Sequence, residues 1–545
     1  MSAVLGAFRL PALATEKFTT YEPASQDRTE LSKAVDQLKN APARDIRPVV
    51  NGEPVPSDHS FDQLSPFNQQ HVLARVQGAS ATTVQEAIKG ALAAKAEWLA
   101  MPLHQRAAVF YRAAYLFQND YKYQMMAATM LGQGKNAYQA DIDCIAESID
   151  FLRTFPTLAE RMYQEQPPFN APGVWNRSEV RPLDGFVYAI CPFNFTALAV
   201  NLVLAPLIVG NVVVWKPSPG AVLSSWLFNE IMIEAGMPPG VMQFIPGDAE
   251  AITKVVLANK HLSAVHFTGS TDVFQKIYAS VGSNITSYVS YPRMIGETSG
   301  KNFHLIHKSA NIRNAALKTI RASFEYQGQK CSACSRAYVP RSCADEFFET
   351  LAAETKQLTM GDNFTDFCGP VISKAAYQRV SGFISRAIKD ETVEIIAGGE
   401  CDDSMGLYIR PTVLKVKDAS SPFLSEEIFG PVLAVHVYED ESFGPELYKT
   451  IDECSPFALT GAIFAKDRRV VADAIEHLRF SAGNFYINDQ CTGAMPGHQP
   501  FGGSRASGTN DKAGTFTLLQ RFVSARTIKE NFGTIDTVLY PSNLE

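Results

Sequence analysis

The chain predicts an α/β fold built around a doubly wound parallel sheet, and three observations carry that expectation. Short apolar, β-branched or aromatic runs lie at 186–190, 212–215, 241–245 and 264–267, separated by stretches long enough for a helix and bounded by Gly, Pro or Asn. A second α/β series runs from Asn302 to about Ser481, followed by glycine-rich loops and a last amphiphilic segment over 515–538. At 545 residues the chain exceeds what one hydrophobic core organises, so at least two domains are expected.

Taken in order, residues 1–45 are polar and mixed, with one amphipathic helical piece near 30–38, and read as a wrapping arm. The first fifteen hold one arginine and no acid, which suits a transit peptide or a plain tail. Apolar residues recur at helical spacing over 84–98, 105–117 and 121–130, a helical layer. Gly132-x-Gly134 follows no strand and reads as a helix cap rather than a phosphate loop. Residues 164–182, rich in proline, asparagine and glycine, leave the body of the domain as an excursion. The longest apolar run, 196–215, approaches the length of a membrane span, but Asn201, Pro206, Gly210 and Asn211 interrupt it. It reads as a buried helix, a turn at Gly210-Asn211 and a central strand.

Composition narrows the function classes. A net charge of −7 with no basic stripe excludes a phosphate-reading nucleic-acid surface. Nine scattered cysteines, an odd number, read as reduced thiols and not as a disulfide framework. The one Cys-x-x-Cys has neither a second pair nor a His pair beside it, so no metal site is expected.

A doubly wound sheet binds ligands beyond the carboxyl ends of its strands, so the polar groups there are the ones to read. They are 191–195 (Cys-Pro-Phe-Asn-Phe), 216–219 (Lys-Pro-Ser-Pro), 246–248 (Pro-Gly-Asp) and 268–271 (Thr-Gly-Ser-Thr), the last entering a helix near Asp272 whose free N–H groups suit a phosphate. Lys216 suits ribose hydroxyls, or is a solvated lysine; the 426–432 run, Glu-Glu-Ile-Phe-Gly-Pro-Val, offers a carboxylate for a diol, or an exposed helix end. Between Tyr326 and Arg336 the chain reads Tyr-Gln-Gly-Gln-Lys-Cys-Ser-Ala-Cys-Ser-Arg. Cys331 follows a glycine turn beside Lys330, and a neighbouring cation lowers a thiol's pKa, so a nucleophile is permitted there. Cys331-x-x-Cys334 equally permits half a zinc site, a redox dithiol or two small buried hydrophobes.

These segments, with 296–301 (Gly-Glu-Thr-Ser-Gly-Lys), occur together in an order and spacing that resembles the aldehyde dehydrogenase superfamily from about Arg47 onward. Three long stretches, 324–336, 483–489 and 499–511, resemble its branch that oxidises L-glutamate γ-semialdehyde. The resemblance implies an aldehyde dehydrogenase-like fold: an N-terminal arm (1–45), a Rossmann-type NAD-binding domain (46–163 and 183–300), an α/β catalytic domain (301–515), and a small β oligomerisation flap with the C-terminal segment (164–182 and 516–545). It implies Cys331 as nucleophile, Asn194 with the Cys331 N–H as oxyanion donors, and Glu297 as the base that activates water. Without it, Asn194 would be read as a turn residue and Glu297 as a surface acid. Implied cofactor contacts are Cys191, Pro192 and Phe193 along the cofactor, Lys216, Pro217 and Ser218, Gly269, Ser270, Thr271, Asp272 and Val273 at the pyrophosphate, and Glu427 with Phe429.

Phe274 stands where many members carry a second phosphate-turn glycine, and Pro219 where many NAD-preferring ones carry an acid; the implied cofactor is NAD, with NADP left open. Implied substrate contacts are Phe195 and Phe501 flanking the aliphatic chain, Ser332, the N–H groups of Gly493 and Ala494 for the α-carboxylate, and Glu147 near the ammonium or, alternatively, on a helix surface. The implied reaction belongs to proline catabolism, in a homodimer or larger homo-oligomer of the mitochondrial matrix with no membrane span and no nucleic-acid partner. Two alternatives stay open: an enzyme for another small polar aldehyde such as succinate semialdehyde, and a non-catalytic member of the fold.

Overall fold

A computed structural model describes residues 9–545. Two seven-stranded sheets organise them. The first runs in the order Arg293–Glu297, Leu262–Thr268, Phe186–Ile190, Val213–Lys216, Met242–Phe244, Val49–Val50, Glu53–Pro54, parallel through its first five strands and antiparallel at the last two. From Phe186–Ile190 the chain winds outward through Val213–Lys216 and Met242–Phe244, then returns to the other side through Leu262–Thr268. The strand order therefore reverses between Phe186–Ile190 and Leu262–Thr268. The loops that leave these two strands, 191–195 and 269–271, diverge and open a crevice.

The run over 196–215 divides as expected into the helix Thr196–Ile208, a turn with Gly210 at φ 92°, and the strand Val213–Lys216, one residue later than the sequence pattern placed it. Asn211 pins that turn, accepting the Leu183 N–H at 2.9 Å and donating to the Pro206 and Phe522 carbonyls. The helical layer appears as Ala81–Ala100, Leu103–Gln118 and Lys122–Gln133, the last ended by Gly134 at φ 76°. Arg44–Ile46, Asn68–Gln77 and Ser60–Ser65 form a separate three-stranded sheet that no sequence pattern announced. No helix among the described residues is long and apolar enough to cross a membrane.

The second sheet runs Val393–Ala397, Thr412–Val416, Val432–Tyr438, Cys334–Pro340, Asn302–Ile306, Thr460–Phe464, Asn484–Ile487, parallel except at its first strand. Outside both sheets, Val174–Pro182 pairs antiparallel with Val523–Asn531 as a two-stranded ribbon. The ribbon begins later than the sequence division put it. Leu518, Leu519 and Phe522 are buried in the first core, and the helix Phe516–Gln520 packs on the helices Ser148–Tyr163 and Thr196–Ile208.

Candidate active site

The strand Arg293–Glu297 of the first sheet ends where the strand Cys334–Pro340 of the second begins, and the two junctions face each other. The Cys331 thiol donates to Glu297 Oε1 at 3.5 Å. Three consecutive left-handed residues, Tyr326, Gln327 and Gly328, turn the chain into this position. Left-handed backbone costs a non-glycine residue about 1–2 kcal/mol, so the turn needs external bonds. Tyr326 Oη donates to the Gln133 carbonyl at 2.9 Å, and Gln327 Nε2 to the carbonyls of Gly134 and Pro370. Asn302 Nδ2 holds the far side, donating to the Cys331 carbonyl at 2.7 Å and the Ala333 carbonyl at 2.8 Å. Gly300 is required for that approach: a Cβ there would stand 2.4 Å from the Cys331 carbonyl oxygen.

Cys331 and Glu297 open into a cavity of about 250 Å³. Glu147, Phe195, Ser332, Gly493, Ala494 and Phe501 all line it. The π-helix Asp141–Glu147 delivers Glu147, whose carboxyl is pushed up to about 8 by burial and by Asp143. Burial alone raises Glu297 to about 7, against lowering contributions from Cys331 and Lys512. Ser332 Oγ and Thr492 Oγ1, 2.6 Å apart, join the segment that carries Cys331 to the 490–495 loop.

Behind the cavity lies an ion pair. Lys135 Nζ donates to Asp143 Oδ2 at 2.6 Å with both side chains out of solvent, and sits 4.0 Å from the Phe195 ring centre and 4.5 Å from that of Tyr326. Asp143 also accepts the Thr196 and Ala197 N–H groups at 3.0 and 2.9 Å, so one carboxylate compensates the ammonium and caps the helix Thr196–Ile208.

On the crevice side, Lys216 is buried at its strand end and commits one N–H to the Pro217 carbonyl at 3.1 Å, its pKa lowered to about 8 by desolvation. Phe193 and Phe429 meet edge to face at 5.9 Å. Glu427 Oε1 accepts the Gly300 N–H at 2.8 Å. Ser270 Oγ accepts the Val273 N–H at the start of the helix Thr271–Ser283, and Thr271 Oγ1 donates to the Ala506 carbonyl, while Asp272 and Val273 face solvent. Phe274 stacks on Phe267 and fills the space over Gly296, where a Cβ would stand 2.3 Å from its ring.

A model of the aldehyde dehydrogenase family matches residues 55–528. The chain belongs to the aldehyde dehydrogenase family. It is 49% identical over 548 residues to the mitochondrial delta-1-pyrroline-5-carboxylate dehydrogenase of Emericella nidulans, covering 99% of this chain and 96% of that one. It is 41% identical to the human protein of the same name, over 95% and 92% of the two chains. The solved delta-pyrroline-5-carboxylate dehydrogenase of Mycobacterium tuberculosis bound with NAD superposes with a TM-score of 0.95 at 42% identity, over 99% of this chain and 100% of that one.

Within this family member several expectations need correction. Lys330 does not lower the pKa of Cys331: its ammonium is taken by Glu325, and burial together with the Glu297 carboxylate pushes the thiol up. The Cys191 side chain faces the core, where its sulfur accepts the Trp215 indole N–H at 3.1 Å, so only its backbone borders the crevice. Asn194 is buried against the turn that carries Cys331, where its Nδ2 donates one proton to the Gln329 carbonyl at 3.1 Å.

Cys331 and Cys334 do not form a pair. Cys334 lies instead with His304 and Cys491, the three donor atoms within 4.8 Å of one another. Each has a protein partner. Thr319 Oγ1 donates to Ala315 and so accepts from His304 Nδ1–H, while His304 Nε2 accepts the Cys491 N–H. The two thiols donate to the carbonyls of Arg336 and Ser332. This arrangement is a satisfied buried knot.

Sequence reasoning missed Lys135 and Asp143, the latter carried on the π-helix Asp141–Glu147, and Phe18, which lines the cavity from the N-terminal arm. The tyrosine, glycine and glutamine of 326–328, already in view, were the one available signal for a strained turn.

Proposed function

We propose that this aldehyde dehydrogenase oxidises L-glutamate γ-semialdehyde, the open form of Δ1-pyrroline-5-carboxylate, to L-glutamate with NAD, in proline catabolism. The observation that carries the reading is the Cys331 thiol 3.5 Å from Glu297 in a cavity that also holds Lys135, Glu147 and the Gly493-Ala494 backbone. These groups suit an aldehyde that bears both an ammonium and a carboxylate.

The crevice residues fit a dinucleotide. Lys216 keeps N–H donors for a ribose diol, Glu427 Oε1 accepts the N–H of Gly300 and keeps its second oxygen for a diol, and the 269–273 segment starts a helix. Bound there, NAD supplies the hydride acceptor. The rest falls to the chain. Glu297 accepts the Cys331 proton, and the thiolate forms a C–S bond to the aldehyde carbon. The resulting oxyanion is held by the Cys331 N–H and by the Asn194 amide proton not committed to Gln329. Loss of hydride leaves a thioester on Cys331. Glu297 gives the thiol proton up to solvent, then takes a proton from water as it attacks, and passes it to the Cys331 sulfur as the C–S bond breaks and glutamate departs.

The relatives named mitochondrial support a matrix location. The ribbon supports self-association: Trp175 and, beyond Asn531, Phe532, Ile535 and Val538 expose large apolar side chains. The test is NADH formation from pyrroline-5-carboxylate by the native protein and by Cys331→Ala, with NADP run in parallel. Turnover in the native protein alone supports the reading. Absence of NADH from native protein shown to bind NAD overturns the substrate.

A further inference from the structure

Residues 9–22 form neither helix nor strand, yet they are fixed to the body at successive points. The Glu16 N–H donates to Asp150 Oδ1 at 2.8 Å, and the Glu16 carboxylate takes Arg153 at 2.8 Å and Gln118 Nε2 at 3.0 Å. The Thr19 N–H donates to Asp141 Oδ2 at 2.9 Å, and Tyr21 Oη to Asp141 Oδ1 at 2.6 Å. Phe18 lies between these anchors, and its side chain lines the cavity that contains Cys331. The anchoring and the lining share one element. Asp141 opens the π-helix whose Ile142 and Glu147 also line the cavity, so the arm and the far wall are set by the same turn.

We propose that this strap is a wall of the substrate site and that Phe18 is a specificity-determining residue, limiting the length of aldehyde that fits above Cys331. Phe18 remains 37% exposed, with no part in a core cluster, which suits a boundary between cavity and solvent better than a structural anchor. The strap belongs to the shared fold: the Mycobacterium tuberculosis structure is matched over 99% of this chain, which leaves too few residues unmatched to omit it. As to which aldehyde is excluded, the inference rests on the substrate reading above. As to the wall itself, it does not.

The experiment compares the native protein, Phe18→Ala and Phe18→Trp with glutamate semialdehyde and with the α-amino semialdehyde one methylene longer. Phe18→Ala is expected to raise KM for the shorter substrate about fivefold to tenfold, with kcat within about twofold, and to improve the longer one relative to it. Phe18→Trp is expected to shift the preference the opposite way. Equal losses on both substrates, or no change, would overturn the assignment.

A second readout needs no turnover. Alkylation of Cys331, followed by peptide mass, is compared for iodoacetamide and for a bulky fluorescein maleimide. Phe18→Ala should speed the bulky reagent selectively. If the native protein ignores the semialdehyde but the reagents sort by size in this way, the wall stands and the substrate reading falls. If the reagents are indifferent to residue 18, the wall falls.

Discussion

The Cys331 sulfur and Glu297 Oε1 stand 3.5 Å apart across the junction of the two sheets, so the acid proposed to activate water is also placed to receive the thiol proton. Burial raises Glu297 to about 7, and a carboxyl with a raised pKa stays protonated, hence inactive as a base, below that value. Turnover should therefore rise with pH through about 7. Glu297→Gln is expected to remove that limb and lower kcat by about 10²–10⁴-fold, measured as NADH formation across pH.

In the proposed mechanism Asn194 holds the oxyanion with one amide proton while the other is donated to the Gln329 carbonyl. Asn194→Ala should lower kcat by about 10²–10³-fold while leaving NAD affinity, read by fluorescence titration, near the native value. An equal loss of cofactor affinity would point to collapse of the 191–195 loop instead.

The two thiols of Cys331-x-x-Cys334 have separate surroundings. Cys334→Ser should retain turnover within about threefold, because its oxygen still donates to the Arg336 carbonyl, while Cys331→Ser loses nearly all of it. Inactive Cys334→Ser with an intact melting transition would revive the dithiol reading.

Asp143→Asn strips the one carboxylate bonded to Lys135 among the described residues and leaves a buried ammonium uncompensated. The expected cost is about 3–5 kcal/mol, measured by denaturant unfolding. Adding Lys135→Met should recover a substantial part of that stability without restoring glutamate-semialdehyde turnover, since Lys135 also lines the cavity.

How much could be read from the chain depended on how local each feature is. Phe186–Ile190 was legible to the residue because a Pro and Gly precede an unbroken apolar run and a Cys-Pro ends it. Val213–Lys216 was displaced by one because Val212 is as apolar as its neighbours and only hydrogen bonding separates it from the turn. Glu297 and Asn194 were visible only through their motifs; neither spacing nor charge marks them, since their surroundings come from the opposite sheet and from the nucleophile turn. Lys330 misled for the opposite reason. It neighbours Cys331 in sequence, but Glu325, five residues back, claims its charge. Phe18 carried no local signal at all: its neighbours Glu16 and Thr19 are held by Asp150 and Asp141, and the cavity it lines is assembled from residues more than 100 positions away.

The π-helix Asp141–Glu147 winds more residues into a turn than an α-helix does, and that surplus has a consequence for how the chain can vary in length. Removing one residue would let the segment relax to α-helical pitch, closing the wide turn and changing the angles between the side chains it carries. Asp143, Glu147 and the strap's holder Asp141 would then no longer share their present bearings, and the charge pair, the helix cap, the cavity wall and the strap would be lost together. Substitutions in this segment act on one contact at a time; a deletion acts on all of them, so its length is under tighter constraint than any of its side chains.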